Sequence, residues 1–146
     1  MTHEEKCNEI KTRLESLEGA GVVHNRSRLA IDWGKYLALF KDPNGRINGW
    51  EISRSGELRL EPDLAHVNET FVLRKIYGVQ DGAGSDLVFQ EHINAAFRLF
   101  RDLHALTFGA LPDGLTVTQI DERLFGDVLC HYAESELRVS QDIDTF

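Results

Sequence analysis

Glu69–Gln80 is the stretch that most limits how this chain can fold. If it is extended, Phe71, Leu73 and Lys75 fall on one face and Val72 and Ile76 on the other. Apolar residues on both parities mark a strand covered on both sides, which places it inside a sheet. The turn-like run Asp81-Gly82-Ala83-Gly84-Ser85 follows it, then the strongest helical pattern, about Asp86–His104. There Phe89, Ile93, Ala96, Phe97, Phe100 and Leu103 form a wide apolar face, Ser85 suits the N-cap and Asp86 the first turn.

The rest of the chain arranges itself around that pair. Cys7, Ile10, Leu14 and Leu17 recur at helical spacing, predicting a first helix over about His3–Glu18, opened by Thr2 or His3 and stopped by Gly19 and Gly21. Val22–His24 reads as a short strand. Leu29–Lys41 is apolar and aromatic, and its period is ambiguous; Tyr36–Phe40 is expected to be a strand. Asp42-Pro43-Asn44-Gly45 is a turn, because proline presets one dihedral and Asn-Gly accepts positive φ. Arg46–Arg54 then completes a hairpin. Ser55-Gly56 is expected to turn the chain, with a short strand at Leu58–Leu60 and a loop beyond it. Thr116–Phe125 and Asp127–Val139 read as an antiparallel pair joined at Gly126. Within the second, Val128, Cys130 and Tyr132 share a parity that Leu137 and Val139 lack, and a bulge near Ala133–Ser135 would reconcile them. The predicted architecture is one α+β domain, residues 1–146, with a mostly antiparallel sheet and two main helices packed on one face.

The 146 residues carry 16 Lys and Arg against 24 Asp and Glu, a formal charge of −8. That balance disfavours nucleic acid and anionic membrane surfaces as general partners. The N-terminal residues lack the apolar segment of a signal peptide, and no run approaches the ~20 apolar residues of a membrane span, so cytoplasmic synthesis is expected. Cys7 and Cys130 belong to no CxxC motif and are expected to be reduced, packed thiols.

Candidate chemistry is sparse. The 82–85 turn could present a helix N-terminus to a phosphate, but it lacks a third glycine and a Gly-Lys-Ser/Thr, and Asp81 and Asp86 flank it. His3, His24, His66, His92, His104 and His131 show no metal-ligand spacing, and HExxH is absent. Glu134 and Glu136 would share a strand face, which is best read as solvated. No G-x-S-x-G occurs. The expectation is a chain that is not an enzyme and takes neither cofactor nor metal, although a site assembled from scattered residues is a third alternative. The feature of most interest is aromatic: Trp33, Tyr36, Phe40 and Trp50 gather around the predicted hairpin, either as core or as interface anchors.

Taken together, these segments resemble the small tail-terminator or tail-completion proteins of long-tailed phages and prophages. The resemblance runs through the first helix with Ile10 and Leu14, Ile31-Asp32-Trp33 to Leu39-Phe40, and Gly45-Arg46-Ile47-Asn48-Gly49-Trp50-Glu51-Ile52-Ser53-Arg54. It continues with the Phe71–Val79 strand, the Phe89/Ile93/Phe97/Phe100 helix and the two closing strands. It implies a structural subunit that forms a homo-oligomeric ring, commonly a hexamer, and joins tail tube to head–tail connector. No catalytic residue comes with it. An acidic subunit would suit a ring around passing DNA. The alternative is a small cytoplasmic protein-binding adaptor.

Overall fold

The computed structural model describes residues 1–28, 30–80 and 84–146. In chain order they form α1 (His3–Glu15), β1 (Val22–His24), α2 (Trp33–Ala38), β2 (Asn48–Leu60), β3 (His66–Gly78), α3 (Ser85–Leu99), β4 (Leu115–Phe125) and β5 (Val128–Asp142). One five-stranded sheet has the order β1-β2-β3-β5-β4, with β1 parallel to β2 and every other pair antiparallel. The class is the α+β expected from sequence, and β3 is the central strand.

α1 starts in a capping box: Thr2 Oγ1 accepts from the Glu5 amide at 3.1 Å, and Glu5 Oε1 accepts from the Thr2 amide at 3.1 Å. Its stripe of Cys7, Ile10 and Leu14 is buried. The helix stops at Glu15, a turn earlier than predicted, with Ser16 as C-cap. Gly21 has φ +74, and a Cβ there would come within 2.2 Å of the Asn48 carbonyl oxygen. Only glycine lets the chain enter β1 so close to β2.

α2 replaces the strand predicted at Tyr36–Phe40. Asp32 caps it, accepting from the Lys35 amide at 2.8 Å. The helical spacing sets Leu37 and Phe40 on one side, where both are buried with Ile76, Phe125, Cys130 and Tyr132. That cluster outweighs the strand preference of the aromatics. The turn survives: Asp42 Oδ1 accepts from the Asn44 and Arg46 amides, and Gly45 has φ +78. Only the single bridge Lys41↔Ile47 remains of the expected hairpin.

β2 does not turn at Ser55-Gly56. It runs on to Leu60, and a shift of register between Arg54 and Leu58 absorbs the irregularity. The predicted N-cap also moves. Gly84, at φ 65, occupies it, while the Ser85 hydroxyl bonds elsewhere. Asp81, Gly82 and Ala83 of the predicted turn, and Leu29, lie outside the described residues.

The two sheet faces are covered differently. α1 and α3 share one core with Trp50, Ile52, Phe71, Leu73, Ala133, Leu137 and Val139, so the two main helices lie on one face, as expected. The opposite face is covered at one end by α2. This resolves the parity conflict in β5 without the bulge expected near Ala133–Ser135. Cys130 and Tyr132 are buried under α2, Leu137 and Val139 under the other helices, and the irregularity sits in β4 between Val117 and Gln119. Cys7 and Cys130 are both free and belong to these two different clusters.

The apolar face of α3 is narrower than predicted. Phe89, Ile93, Ala96 and Phe100 are buried, whereas Phe97 and Leu103 are about half exposed. α3 ends at Leu99, so Leu103 is not part of it. Among the described residues, no helix is long and apolar enough to cross a membrane.

Candidate interaction surface

The first turn of α2 stands over the tip of the β4–β5 hairpin. The Trp33 ring meets Phe125 edge-on at 5.3 Å and Tyr36 edge-on at 5.8 Å. Gly126, at φ +69, closes the hairpin, and a Cβ there would come within 3.3 Å of Trp33 Cβ. The absence of a side chain at Gly126 therefore lets α2 sit down on the hairpin.

Tyr36 is fixed from below. Its hydroxyl donates to Glu51 Oε1 at 3.0 Å, and the Arg28 amide donates to Glu51 Oε2 at 3.0 Å. Glu51 is buried on β2. Burial, then the charge of Glu51 and the hydrogen bond to it, push the Tyr36 hydroxyl well above its ordinary pKa, so it stays a donor. Around this anchor, Arg28, Ala30, Ile31, Asp32, Trp33 and Tyr36 line a cleft of about 670 Å³. Ile31 is 89% and Trp33 52% exposed. An apolar rim beside a cation and a buried carboxylate is suited to taking a side chain from another protein.

The sheet beyond the cleft continues with polar groups. Tyr132 donates to Glu134 Oε2 at 2.9 Å, Arg74 donates to Ser53 Oγ at 2.9 Å, and an Arg74 nitrogen lies 3.7 Å from Glu134 Oε1. Burial, with Glu134 adding to it, pushes the Tyr132 hydroxyl up to about 12. Glu134 is therefore held by partners on the face where a solvated pair was expected, and only Glu136 of the two is exposed.

The four aromatics singled out in the sequence do not form one patch. Trp33 and Tyr36 border the cleft, Phe40 is fully buried beneath α2, and Trp50 is in the core on the other face at 1% exposure. Phe40 and Trp50 are thus core residues, and the interface reading passes to Trp33 and Tyr36. Ile31 and the Glu51 tether were not anticipated. Asp32 three residues before Lys35, at the head of an aromatic segment, was the one available signal of a capped helix.

Three buried polar clusters lie on the α1/α3 side. Glu69, at 1% exposure, meets Lys6 Nζ at 3.1 Å, an Arg54 nitrogen at 3.2 Å and Gln141 Nε2 at 2.9 Å. His131 Nε2 lies 2.9 Å from Ser85 Oγ, and its Nδ1 lies 3.9 Å from Glu122. That line of serine, imidazole and carboxylate resembles a nucleophile with its base. Both Ser85 and His131 are buried, however, and Ser85 Oγ also accepts from the Gln80 amide at 3.0 Å, so the pair fastens the β3–α3 connection.

The third cluster is Lys75, fully buried, whose ammonium donates to Asn48 Oδ1 at 2.5 Å and to the Ala20 carbonyl at 3.3 Å. Burial pulls its pKa down to about 7. Between pH 7 and the unfolded value near 10.4 the unfolded chain binds a proton that the folded chain does not, so stability rises with pH there. Urea melts are expected to gain stability between pH 7 and 8.5 by up to about 1.4 kcal/mol per unit. Lys75→Met is expected to flatten the slope, and a wild-type slope of zero would contradict a deprotonating Lys75.

Among the described residues, no group of three or more His, Cys, Asp or Glu side chains is placed to hold a metal ion. Compared with models of known protein families and with curated proteins, the chain matches none of them.

Proposed function

We propose that this chain is a structural subunit that works by gripping other proteins, and that it is a tail-completion subunit of a long-tailed phage or prophage. Such a subunit is made in the cytoplasm and ends in the virion tail, as a ring between tail tube and head connector. The observation that carries a binding role is the display of Ile31 and Trp33. Two large apolar side chains are held out to solvent at the start of α2, Ile31 just before the Asp32 cap and Trp33 in the first turn, and the helix is itself anchored through Tyr36 and Glu51. Exposing them costs solvation free energy that a partner would recover. The tail assignment rests on the sequence resemblance described above, with which the α+β architecture is compatible.

The size of the cleft favours one alternative, a cytoplasmic adaptor that receives a single side chain or short segment of its partner. Native mass and negative-stain images of the purified protein separate the two. An open six-fold ring supports tail completion; a monomer at every concentration favours the adaptor. Under either reading Trp33→Ala is expected to weaken association at least about tenfold while costing less than about 1 kcal/mol in a denaturant melt. Unchanged association would remove Trp33 from the contact.

A further inference from the structure

The sheet has two unsatisfied edges, and they match one another. On the β4 side the outer edge has no partner strand among the described residues. On the β2 side, β1 pairs with Gly49, Trp50 and Glu51, and among the described residues no strand pairs with the outer edge of the later part of β2. Residues 56–60 of β2 are all exposed, and β4 alternates exposed and half-buried positions from Thr116 to Leu124. Open strands of this length invite pairing with another chain.

The side chains on the two edges correspond in kind and in face. Following the ladder from strand to strand, Leu58 and Leu60 of β2 lie on the same face of the sheet as Ile120, Glu122 and Leu124 of β4. Glu57, Arg59, Asp121 and Arg123 lie on the other. Leu58, Leu60, Ile120 and Leu124 are all between 46% and 67% exposed. Each edge also carries one ion pair between residues two apart: Arg59 with Glu57 at 3.6 Å, and Arg123 with Asp121 at 3.4 Å.

β2 and β4 run in opposite directions, because three antiparallel pairings separate them. A second copy set edge to edge in the same orientation therefore continues the antiparallel alternation. One register pairs opposite charges on one face and sets an apolar pair on the other. Leu60 stands opposite Ile120, Arg59 opposite Asp121, and Glu57 opposite Arg123, while Leu58 faces Glu122. Sliding by two residues one way sets Arg59 against Arg123, and the other way sets Glu57 against Asp121. Both slips juxtapose like charges, and a slip of one residue moves every side chain to the wrong face.

We propose that the occupant of the β4 edge is the Glu57–Leu60 edge of a second copy of this chain, joined head to tail in that register. The contact rests on the reading of the chain as a self-assembling subunit and gives that assembly its geometry. A heterologous contact of this kind leaves a free edge at every stage until rotation closes a ring. The charge pairs select the register, and Leu60 and Ile120 bury apolar surface against each other.

The test is sedimentation of the full chain over a range of concentrations, with Arg59→Asp, Asp121→Arg and the two combined. The wild type is expected to associate beyond a dimer. Each single reversal should weaken association by roughly a hundredfold, and the double reversal should restore most of it. Both positions tested, Arg59 in β2 and Asp121 in β4, are outside the core, so the circular dichroism of each variant should match the wild type. If a reversal unfolds the chain, Arg59→Gln and Asp121→Asn remove the same charge pair: each should weaken association, and the two combined should cost no more than either alone, whereas additive losses would overturn the pairing. Rings that form regardless of both reversals overturn this contact and leave the tail reading standing. A wild type that stays monomeric, or stops at a dimer, overturns the contact and the ring together.

Discussion

Glu69→Ala is expected to lower the unfolding free energy by about 3–5 kcal/mol, because it strands a buried ammonium. Lys6 is 3% exposed and sits 3.1 Å from the Glu69 carboxylate, with its ammonium 4.0 Å from the centre of the Phe146 ring. Without Glu69 that charge keeps the weaker aromatic contacts with Phe146 and Phe108, and Gln141 Nε2 loses its acceptor. A domain of this size is stable by about 5–15 kcal/mol, so the loss is a large share. Burial acts to raise the Glu69 pKa, but hydrogen bonds from Gln141 and Lys6, with the charge of Lys6, outweigh it and hold the carboxyl below its ordinary value. A carboxylate held low contributes stability above its unfolded pKa and loses it as pH falls through the folded value. Urea melts of wild type and Glu69→Ala should therefore differ most near neutrality and converge in acid. A gap that persists unchanged at pH 3 would show that the ion pair is not its source.

Trp50→Ala is the second large effect, also about 3–5 kcal/mol. The ring is 1% exposed in the core that joins α1 and α3 to the sheet, and the Lys75 ammonium lies 5.2 Å from its centre. Truncation opens a cavity and removes the aromatic face beside a buried amine. The comparison with Trp33→Ala is the informative part. The same substitution at the half-exposed tryptophan should spare folding and weaken association. A loss below about 1 kcal/mol at Trp50 in a denaturant melt would mean that the site collapses around the gap.

The sheet was legible wherever the alternation was strong. Phe71, Val72, Leu73 and Ile76 place β3 at the centre because residues of both parities must be covered. The class follows from the order of helices and strands. The α2 segment was not legible. Tyr36–Phe40 is aromatic and β-prone, and only its packing against Ile76, Phe125 and Tyr132, far along the sequence, decides for helix. Ser55-Gly56 reads as a turn locally, yet the ladder with β3 carries β2 past it. Phe97 sits in an apolar run whose outer flank meets no covering element among the described residues. For the candidate surface, nothing local separates Trp33 from Trp50; their exposures differ because β2 turns Trp50 toward the helices and α2 holds Trp33 at a rim. Lys6 and Glu69 are 63 residues apart, a pairing that no local pattern announces.

The position of β5 bears on how this molecule comes to be made. The last strand in sequence is not at the margin of the sheet but between β3 and β4, and its Gln141 is one of the groups that hold Glu69. During synthesis β3 therefore leaves the ribosome with one side unpaired, and it stays so until residues up to Asp142 have emerged. Until then the backbone N–H and C=O groups along that edge of β3 are available to any neighbouring nascent chain. Pairings this distant along the chain also close slowly. The hazardous interval in the life of this protein is thus the time between translating β3 and seating β5, when aggregation competes with completion of the sheet.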